Sequence, residues 1–589
     1  MNYLQMKKKI LFNILIILSS NVFTQSLIVP PADNTTYIGK AMFGYQGWFG
    51  HPHDKSPRPH YWHWGNMNNI GIENLGVDMF PDMREMGVDE RYPTAYSFPS
   101  GETAKVFSSG NRQTVHRHMK WVRDYNTDGV WVQRFISEYN DKVVMAFRDS
   151  TTVFVKEGCE MYDRVFAIMY DGIANRVEDI KTDWMHMVDN LGITDSDRYL
   201  NHNGKPIVAL WGYTVRDAAT VDQLEEMIDW FTHSADEKYQ ASIKLGLNNR
   251  WFDEDQRWLD AFKQVDVISP WMVGRFGNQN EYNNFLNNDI IPGKSWCDDN
   301  DVLYVPVLFP GFSWHNLRNG AHPKNHIPRN GGNFFWLQVE GAMSQNMETF
   351  YFAMFDEVDE STAFFKTAEN ASQAPAREYW LNLDADGFTL PSDWYLRAAG
   401  KAAETLRGNI PASASLGSPK EGIMTIRPKQ EDNCAIQLIF PDFENETTIE
   451  ISLDGGNSFP YSIDDNLGIY ELANLGEGIF NLAVRHPGGE SVPMGEVILK
   501  QCFAVSNEYN VMKAEELKIY PNPAGNFLKI EGLYGETHVE IFNIAGVRCK
   551  SFMVNEQTIT IDISDLNSSV YYVLIRDKNR QESRIIVKH

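Results

Sequence analysis

The chain has 589 residues, with 78 acidic against 53 basic side chains and a formal net charge of −25. That balance argues against nucleic acid as a partner, because a phosphate backbone needs basic surface, and against a strongly anionic ligand unless a local basic pocket compensates. The length implies several domains, and 13 % aromatics, with 16 Trp and 34 Phe, exceed what a core requires and suit a surface that stacks sugar rings.

At the N-terminus, Lys7, Lys8 and Lys9 precede an apolar run from Ile10 to Leu18 and a polar exit through Ser19, Ser20, Asn21, Thr24 and Gln25. This describes a secretory signal peptide over residues 1–25, cut near Thr24 or Gln25. The run is too short to span a bilayer comfortably, and no other apolar run is long enough. The mature chain is therefore expected outside the cytoplasm, secreted or on the cell surface, with no transmembrane segment.

From residue 37 to 405 apolar strands alternate with amphipathic helical patterns. Strands are expected at Ala41–Gln46, Gly129–Phe135, Val165–Tyr170, Ile207–Trp211, Ile243–Leu247, Val265–Pro270, Leu303–Phe309 and Thr349–Phe355, with a further short one at Gly76–Phe80. Helical patterns between them include Val221–Thr232 and Trp336–Met347. Eight such repeats predict a (β/α)8 TIM-like barrel. A doubly wound open sheet is the alternative; no glycine-rich phosphate loop follows the first strand, which disfavours a nucleotide-binding version.

Residues 410–418 are rich in Pro, Ser, Ala and Gly and read as a linker. Residues 419–503 alternate in and out, with Asp454-Gly455-Gly456 suiting a hairpin, and predict an immunoglobulin-like β-sandwich. No Trp cluster marks a binding face there, so a spacer role is expected. Residues 515–589 again alternate, as in His538 to Asn543 and Val570 to Ile575, and predict a second small sandwich. The fold class is thus α/β, a barrel followed by two all-β sandwich domains. Cys159, Cys297, Cys434, Cys502 and Cys549 are scattered and odd in number, and indicate neither a zinc ribbon nor a disulfide scaffold. Cys434 and Cys502 lie in one module, where a disulfide and single buried thiols are equally compatible with the spacing.

The chemistry-bearing feature is the strand Thr349–Phe355, which runs into Asp356, Glu357, Asp359 and Glu360. Like charges so close repel, and folding alone gives no reason to gather them at the end of a buried strand. In a parallel barrel the carboxyl ends of the strands carry the chemistry. Glycosidic cleavage needs two carboxyl groups, one holding its proton and one ionised. A solvated acidic loop or a calcium site of carboxylate oxygens is the alternative. Other strand ends and loops are also polar or aromatic, and by strand position Tyr45, Trp48, His63, Gln133, Asp171 and Trp271 are expected to line sugar subsites. Asp384-Ala385-Asp386-Gly387 has calcium-loop character but carries Tyr395 where an EF-hand has Glu, so it reads as a tight turn, with Asp393 a cap for the following helix. His116 and His118, two apart on a helix, face different ways and make no metal site.

Two resemblances add to this. Tyr520-Pro521-Asn522-Pro523, the turn Phe542-Asn543-Ile544-Ala545-Gly546 and the basic end resemble the C-terminal sorting domain of the type IX secretion system of Bacteroidetes. That implies export by the type IX machinery, followed by release or attachment at the outer membrane. The segments Asp128 to Phe135, Asn203 to Gly212, Ala353 to Glu360, and Ile327 to Gly332 with Trp336 and Gln338, resemble the glycoside hydrolase family 99 and 71/99-like group over residues 37–405. That resemblance implies a (β/α)8 barrel acting on α-mannosides without a metal or other cofactor, and brings Arg329 among the substrate-binding residues. It implies Glu357 as the base that deprotonates the sugar 2-hydroxyl to form a 1,2-anhydro sugar. Glu360 would be the acid that protonates the leaving oxygen and then the base that activates water. The sequence departs from the mannan-cleaving members in carrying Val358-Asp359 between the glutamates, which puts it in the 71/99-like branch, with an α-mannoside-type substrate favoured. The competing readings are a hydrolase of another polymer (an α-glucan, or a xylose- or arabinose-containing chain) and a non-catalytic surface glycan-binding protein.

Overall fold

The structure, a computed structural model, describes residues 31–65, 76–213, 219–377 and 379–409, and beyond these most of the strands between 425 and 499 and between 518 and 588. The expected leader, Cys434 and Cys502 lie outside the described residues. The chain divides into two compact units, one through residue 503 and one from residue 504.

The first unit is built on eight parallel strands: β1 (Ala41–Tyr45), β2 (Gly129–Phe135), β3 (Val165–Asp171), β4 (Lys205–Trp211), β5 (Ser242–Gly246), β6 (Val267–Ile268), β7 (Leu303–Tyr304 and Val307–Leu308) and β8 (Phe350–Phe352). Each pairs in parallel with the next, and β8 pairs with β1. The ring closes through a break in β7. Its first half pairs with β6 and its second half with β8. Pro306, which has no N–H to give, sits at the break; Val305 N–H still donates to Ile268, and the Pro306 carbonyl accepts from Tyr351 N–H.

A helix follows every strand: α1 (Arg112–Asp124), α2 (Lys142–Tyr162), α3 (Val177–Asp189), α4 (Val221–Asp229), α5 (Gln256–Phe262), α6 (Gln279–Phe285, continued through Leu286–Ile290 into Ile291–Asp299), α7 (Asn333–Ser344) and α8 (Trp394–Leu406). Asn111, Asp141 and Asp255 cap the first backbone N–H groups of α1, α2 and α5. This is the expected barrel rather than an open sheet.

Strand side chains alternate between the helix layer and the barrel interior. Outward, Tyr45 meets His118 of α1, Arg134 meets Asp183 of α3, and Phe352 meets Phe335 of α7. Inward, the Lys244 ammonium lies over the rings of Trp131 and Tyr351 at 5.0 and 4.7 Å. Glycine is required twice on this inner surface. A Cβ at Gly44 would stand 2.1 Å from the Tyr351 hydroxyl, and one at Gly246 would stand 2.0 Å from the Trp211 ring.

Two expectations are corrected. Gly76–Phe80 is not a strand: the amides of Asp78 and Met79 both point at the Val358 carbonyl of the acidic loop. Asp393 precedes α8 but makes no side-chain cap; its carboxylate accepts from the Tyr125 hydroxyl and pairs with Arg397.

Beyond α8 the first unit carries two antiparallel sheets of three and four strands, between Thr425 and Leu499. At the expected hairpin, Gly455 and Gly456 take φ of 77° and 93°, which an L side chain resists. The second unit also has a three-stranded and a four-stranded antiparallel sheet, from Lys518 to Lys588. Alternate residues of both, among them Leu528, Ile530, Val539, Ile541, Val573 and Ile575, close one apolar core.

Candidate active site

The acidic segment leaves β8 and folds back on itself. Val358 N–H donates to the Asp356 carbonyl, the amides of Thr362 and Ala363 both donate to the Glu357 carbonyl, and Met354 N–H donates to the Thr362 carbonyl. Ser361, at φ 54°, makes the reversal. The Arg329 guanidinium, itself buried, donates to the carbonyls of Ser361 and Ala363 at 2.8 Å each. The turn is therefore fixed from beneath, and four carboxyl groups are held in distinct surroundings.

Asp356 is fully buried and accepts the backbone N–H groups of Gln46 and Gly47 at 2.8 and 2.9 Å. Those bonds favour its ionised form, but burial outweighs them and lifts its pKa to about 7. Glu357 is 4 % exposed; one oxygen accepts from Gln46 Nε2 and the other from the Thr362 hydroxyl, each at 2.6 Å. Burial, and then the neighbouring charges of Glu360 and Asp359, push its pKa well above the carboxylate range. Asp359 is 2 % exposed, with one oxygen 3.3 Å from His63 Nδ1 and the other unpartnered. Glu360 is half-buried, and burial followed by Asp359 raises it to about 7 while Arg318 pulls the other way. Neither glutamate forms an ion pair among the described residues.

Gln46 joins the first and last strands. Its N–H is held by Asp356, its carbonyl accepts from Arg148 Nη1 at 3.0 Å, and its side chain reaches Glu357. Burial lowers the pKa of His63 to about 3, so its contact with Asp359 is a hydrogen bond of a neutral ring, not an ion pair. That ring stacks on Trp48 at 3.7 Å, and Trp48 stacks in turn on Phe135 at 5.5 Å.

On the far wall, Gln133 Nε2 donates to Asp171 at 3.2 Å while Gln133 Oε1 is buried with no partner. Burial raises Asp171 to about 6. Tyr351 of β8, the strand that leads into the acids, meets the Trp271 ring edge-on at 6.4 Å. Trp271 packs edge-on against Trp211 at 6.1 Å, and both indoles are partly exposed.

Of the expected subsite residues, His63 meets the acid turn through Asp359, and Gln133, Asp171 and Trp271 lie at or just past the carboxyl ends of β2, β3 and β6. Three others are placed differently. Tyr45 is fully buried on the helix side of β1, its hydroxyl on His118 at 2.9 Å. Trp48 is the middle ring of a stack, with its faces taken. Arg329 is buried, with its Nη2 on the backbone of the acid turn. Gln46, Thr362 and Trp211 are not among the site residues expected from the sequence, and Asp359 is expected there only as a member of the acid cluster. Strict alternation along β1 contained the signal for Gln46, which shares the inner face with Gly44. Nothing in the sequence marked Thr362. Among the described residues no cluster of His, Cys, Asp or Glu has the form of a metal site.

The class of protein this defines is a (β/α)8 barrel with a buried carboxyl cluster at the carboxyl ends of its strands. Residues 518–589 match the family described as the secretion system C-terminal sorting domain. The chain is accordingly an exported protein that carries a cell-surface sorting module, and no described helix is long and apolar enough to cross a membrane. A comparison with curated proteins gave no match. Among solved structures, the barrel region is similar to the GH99 endo-alpha-mannosidase from Bacteroides thetaiotaomicron, at 13 % identity and TM-score 0.46, covering 64 % of this chain and 100 % of that one. It is also similar to a glycoside hydrolase-like protein, at 14 % identity and TM-score 0.38, covering 58 % and 97 %. A glycoside hydrolase family 5 mannosidase from Rhizomucor miehei follows at 9 % identity and TM-score 0.31, covering 51 % and 90 %. At these scores the chemistry has to be read from the side chains themselves.

Proposed function

We propose that the barrel is an exported glycoside hydrolase and that Glu357 and Glu360 are its catalytic carboxyl pair. The observation that carries this is the pair itself. Two glutamates with raised pKa values, Glu357 buried and Glu360 half-buried, neither in an ion pair among the described residues, stand just past the carboxyl end of β8. Unlike Asp356, whose two oxygens are held by backbone amides, Glu360 accepts no side-chain hydrogen bond among the described residues and is left open to a substrate. A general acid working near neutral pH needs a carboxyl group that keeps its proton there.

Glu357 is the deeper of the two, gripped by Gln46 and Thr362, and suits a group that works on a ring hydroxyl at the floor of the cavity. Glu360 reaches solvent, where the leaving sugar departs and water arrives. The charge of Glu360 raises Glu357, so one proton serves the pair. With that proton on Glu360, Glu357 is ionised and is the base on the 2-hydroxyl, forming a 1,2-anhydro sugar, while Glu360 is the acid and then the base for water. An α-mannoside places that hydroxyl trans to the leaving group, which favours this substrate class. His63, Gln133, Asp171, Trp271 and Trp211 form the sugar subsites; the unpartnered Gln133 Oε1 is an acceptor for a hydroxyl. The cleavage runs on the side chains named, with no cofactor in any step.

The test is reducing-end release from a polysaccharide panel led by α-mannans, with Glu357→Gln and Glu360→Gln alongside the wild type. Each variant should lose about 10³-fold or more in kcat on natural glycan. On an aryl glycoside, whose leaving group needs no proton, Glu360→Gln should still break the bond and Glu357→Gln should not. The reverse pattern would exchange the two roles. Binding of glycan with no release by the wild type would make the barrel a glycan-binding protein instead.

A further inference from the structure

One stretch of this acidic chain contains no acid. From Val302 to Val339 there is neither Asp nor Glu, while Arg318, Lys324, Arg329, His315, His322 and His326 all fall within it. In a chain of net charge −25 this is a local reversal of composition. It falls on the loop that follows β7 and flanks the acid turn.

That loop is fastened to the site. Ser313 N–H donates to the Glu360 carbonyl at 3.0 Å. The buried Asp78 carboxylate accepts from the Ser313 hydroxyl and from the amides of His315 and Asn316, the amides at 2.9 and 2.7 Å. The loop then turns, with Arg318 N–H on the Trp314 carbonyl at 3.0 Å and Gly320 N–H on the His315 carbonyl at 2.7 Å. The Arg318 guanidinium lies 4.4 Å from the centre of the Trp314 ring, and His322 packs against the same ring at 4.7 Å. Arg318 is exposed and forms no ion pair among the described residues. A planar cation laid on an indole keeps its edge free for a bidentate oxyanion. Arg318 lies five positions after Ser313, whose N–H is held by the Glu360 carbonyl, so the loop that carries this cation is joined to the backbone of that acid.

We propose that Arg318, set on Trp314, recognises an anionic substituent of the glycan on the leaving-group side of the scissile bond, so that the substrate class is an acidic glycan carrying a uronate or sulfate. This rests on the glycosidase reading and on Glu360 as its acid. The side follows from chemistry: the group that protonates the leaving oxygen faces the leaving sugar, and the loop that carries Arg318 is hydrogen-bonded to the backbone of that group's own residue. The net charge that argues against an anionic ligand for the chain as a whole is locally overturned on this loop.

The test uses the full chain carrying Glu360→Gln, with and without Arg318→Ala or Arg318→Lys. Affinity electrophoresis and calorimetry would compare matched glycans: one neutral backbone, the same backbone with glucuronate side groups, and the same backbone sulfated, each offered on α-mannan and on the other panel polymers. We expect one anionic member to bind at least about tenfold tighter than its neutral partner at low salt, with the gap closing as salt rises. Arg318→Ala should abolish the gap and Arg318→Lys should retain part of it. Which anionic member responds separates a carboxylate from a sulfate ester. Equal binding of neutral and anionic partners, or a gap that Arg318→Ala leaves intact, would overturn the inference and leave the glycosidase reading standing. Binding to none of the panel, together with no release by the wild type, would sink the glycosidase reading itself and this inference with it.

Discussion

The acid turn after β8 and the loop after β7 lie side by side and solve opposite problems. In the turn, Asp356, Glu357 and Asp359 are each no more than 4 % exposed, and most of their oxygens are met by a named donor. The β7 loop anchors its backbone on Asp78 and leaves Arg318 free in solvent. Burial makes the carboxyl groups expensive to ionise and fixes where they point, as reaction chemistry requires. Exposure leaves a cation cheap to keep charged and ready to meet a partner, as selection requires. The difference teaches that charge at a site divides by solvation. Groups held away from water set the reaction, and groups left in it choose what arrives.

The largest break in that contrast should come from the buried side. Asp356 does no chemistry itself, since both its oxygens are taken by the amides of Gln46 and Gly47. It is a positioning residue that places Gln46 against Glu357. Asp356→Ala should leave two buried N–H groups without acceptors and cost about 3 kcal/mol or more in urea unfolding. It should also lower kcat by about 10²-fold with KM less affected, because Glu357 loses its Gln46 contact. A variant that loses stability but keeps kcat would show that the turn is framework alone.

A smaller effect, of opposite sign, is expected at Glu360. Its pKa in the fold, about 7, lies above the ordinary 4.5. The folded state therefore holds this proton more tightly than the unfolded chain. The stability that proton confers is fully present below about pH 4 and is lost as pH rises through 7. Glu360→Gln should then match the wild type near pH 4 and exceed it by roughly 1–3 kcal/mol at pH 8. Thermal unfolding at both pH values reads this directly. A variant no more stable at pH 8 would mean that Glu360 carries no burial penalty and belongs with the solvated groups.

Much of this was legible before the structure, and the limits have physical causes. The eight strands announced themselves through apolar runs, because a parallel strand is buried on both faces. The acids at the end of β8 stood out because that pattern breaks there. The faces of the strand ends were harder to read. Tyr45 looked like a sugar platform and Gln46 did not, yet one residue of register reverses which of them sees the cavity. Arg329 read as a ligand through the family resemblance of its segment, but its Nη2 is held by the carbonyls of Ser361 and Ala363, across a distance in sequence that no local pattern encodes. Asp78 sat in what read as a strand, and the amides it holds belong to a loop more than two hundred residues later.

The finest test returns to Arg318. Its positive charge favours the ionised form of Glu360 without touching it, so Arg318→Ala should raise the pKa of Glu360. If Glu360 is the acid, activity falls on the alkaline side as that carboxyl group loses its proton. The variant's alkaline limb should therefore move upward at low ionic strength, and the shift should shrink as salt screens the exposed charge. The acid turn's own hydrogen bonds are untouched by this substitution, so its effect on stability should stay within about 0.5 kcal/mol. An alkaline limb that does not move would mean that the pH profile reports another group, with Asp359, itself raised to about 7 and in contact with His63, the first to try. A limb that moves while the preference for anionic glycan stays would separate the two roles given to Arg318. The electrostatic influence on the acid would then belong to it, and recognition would belong to its neighbours on the loop, Lys324 and His322 first among them.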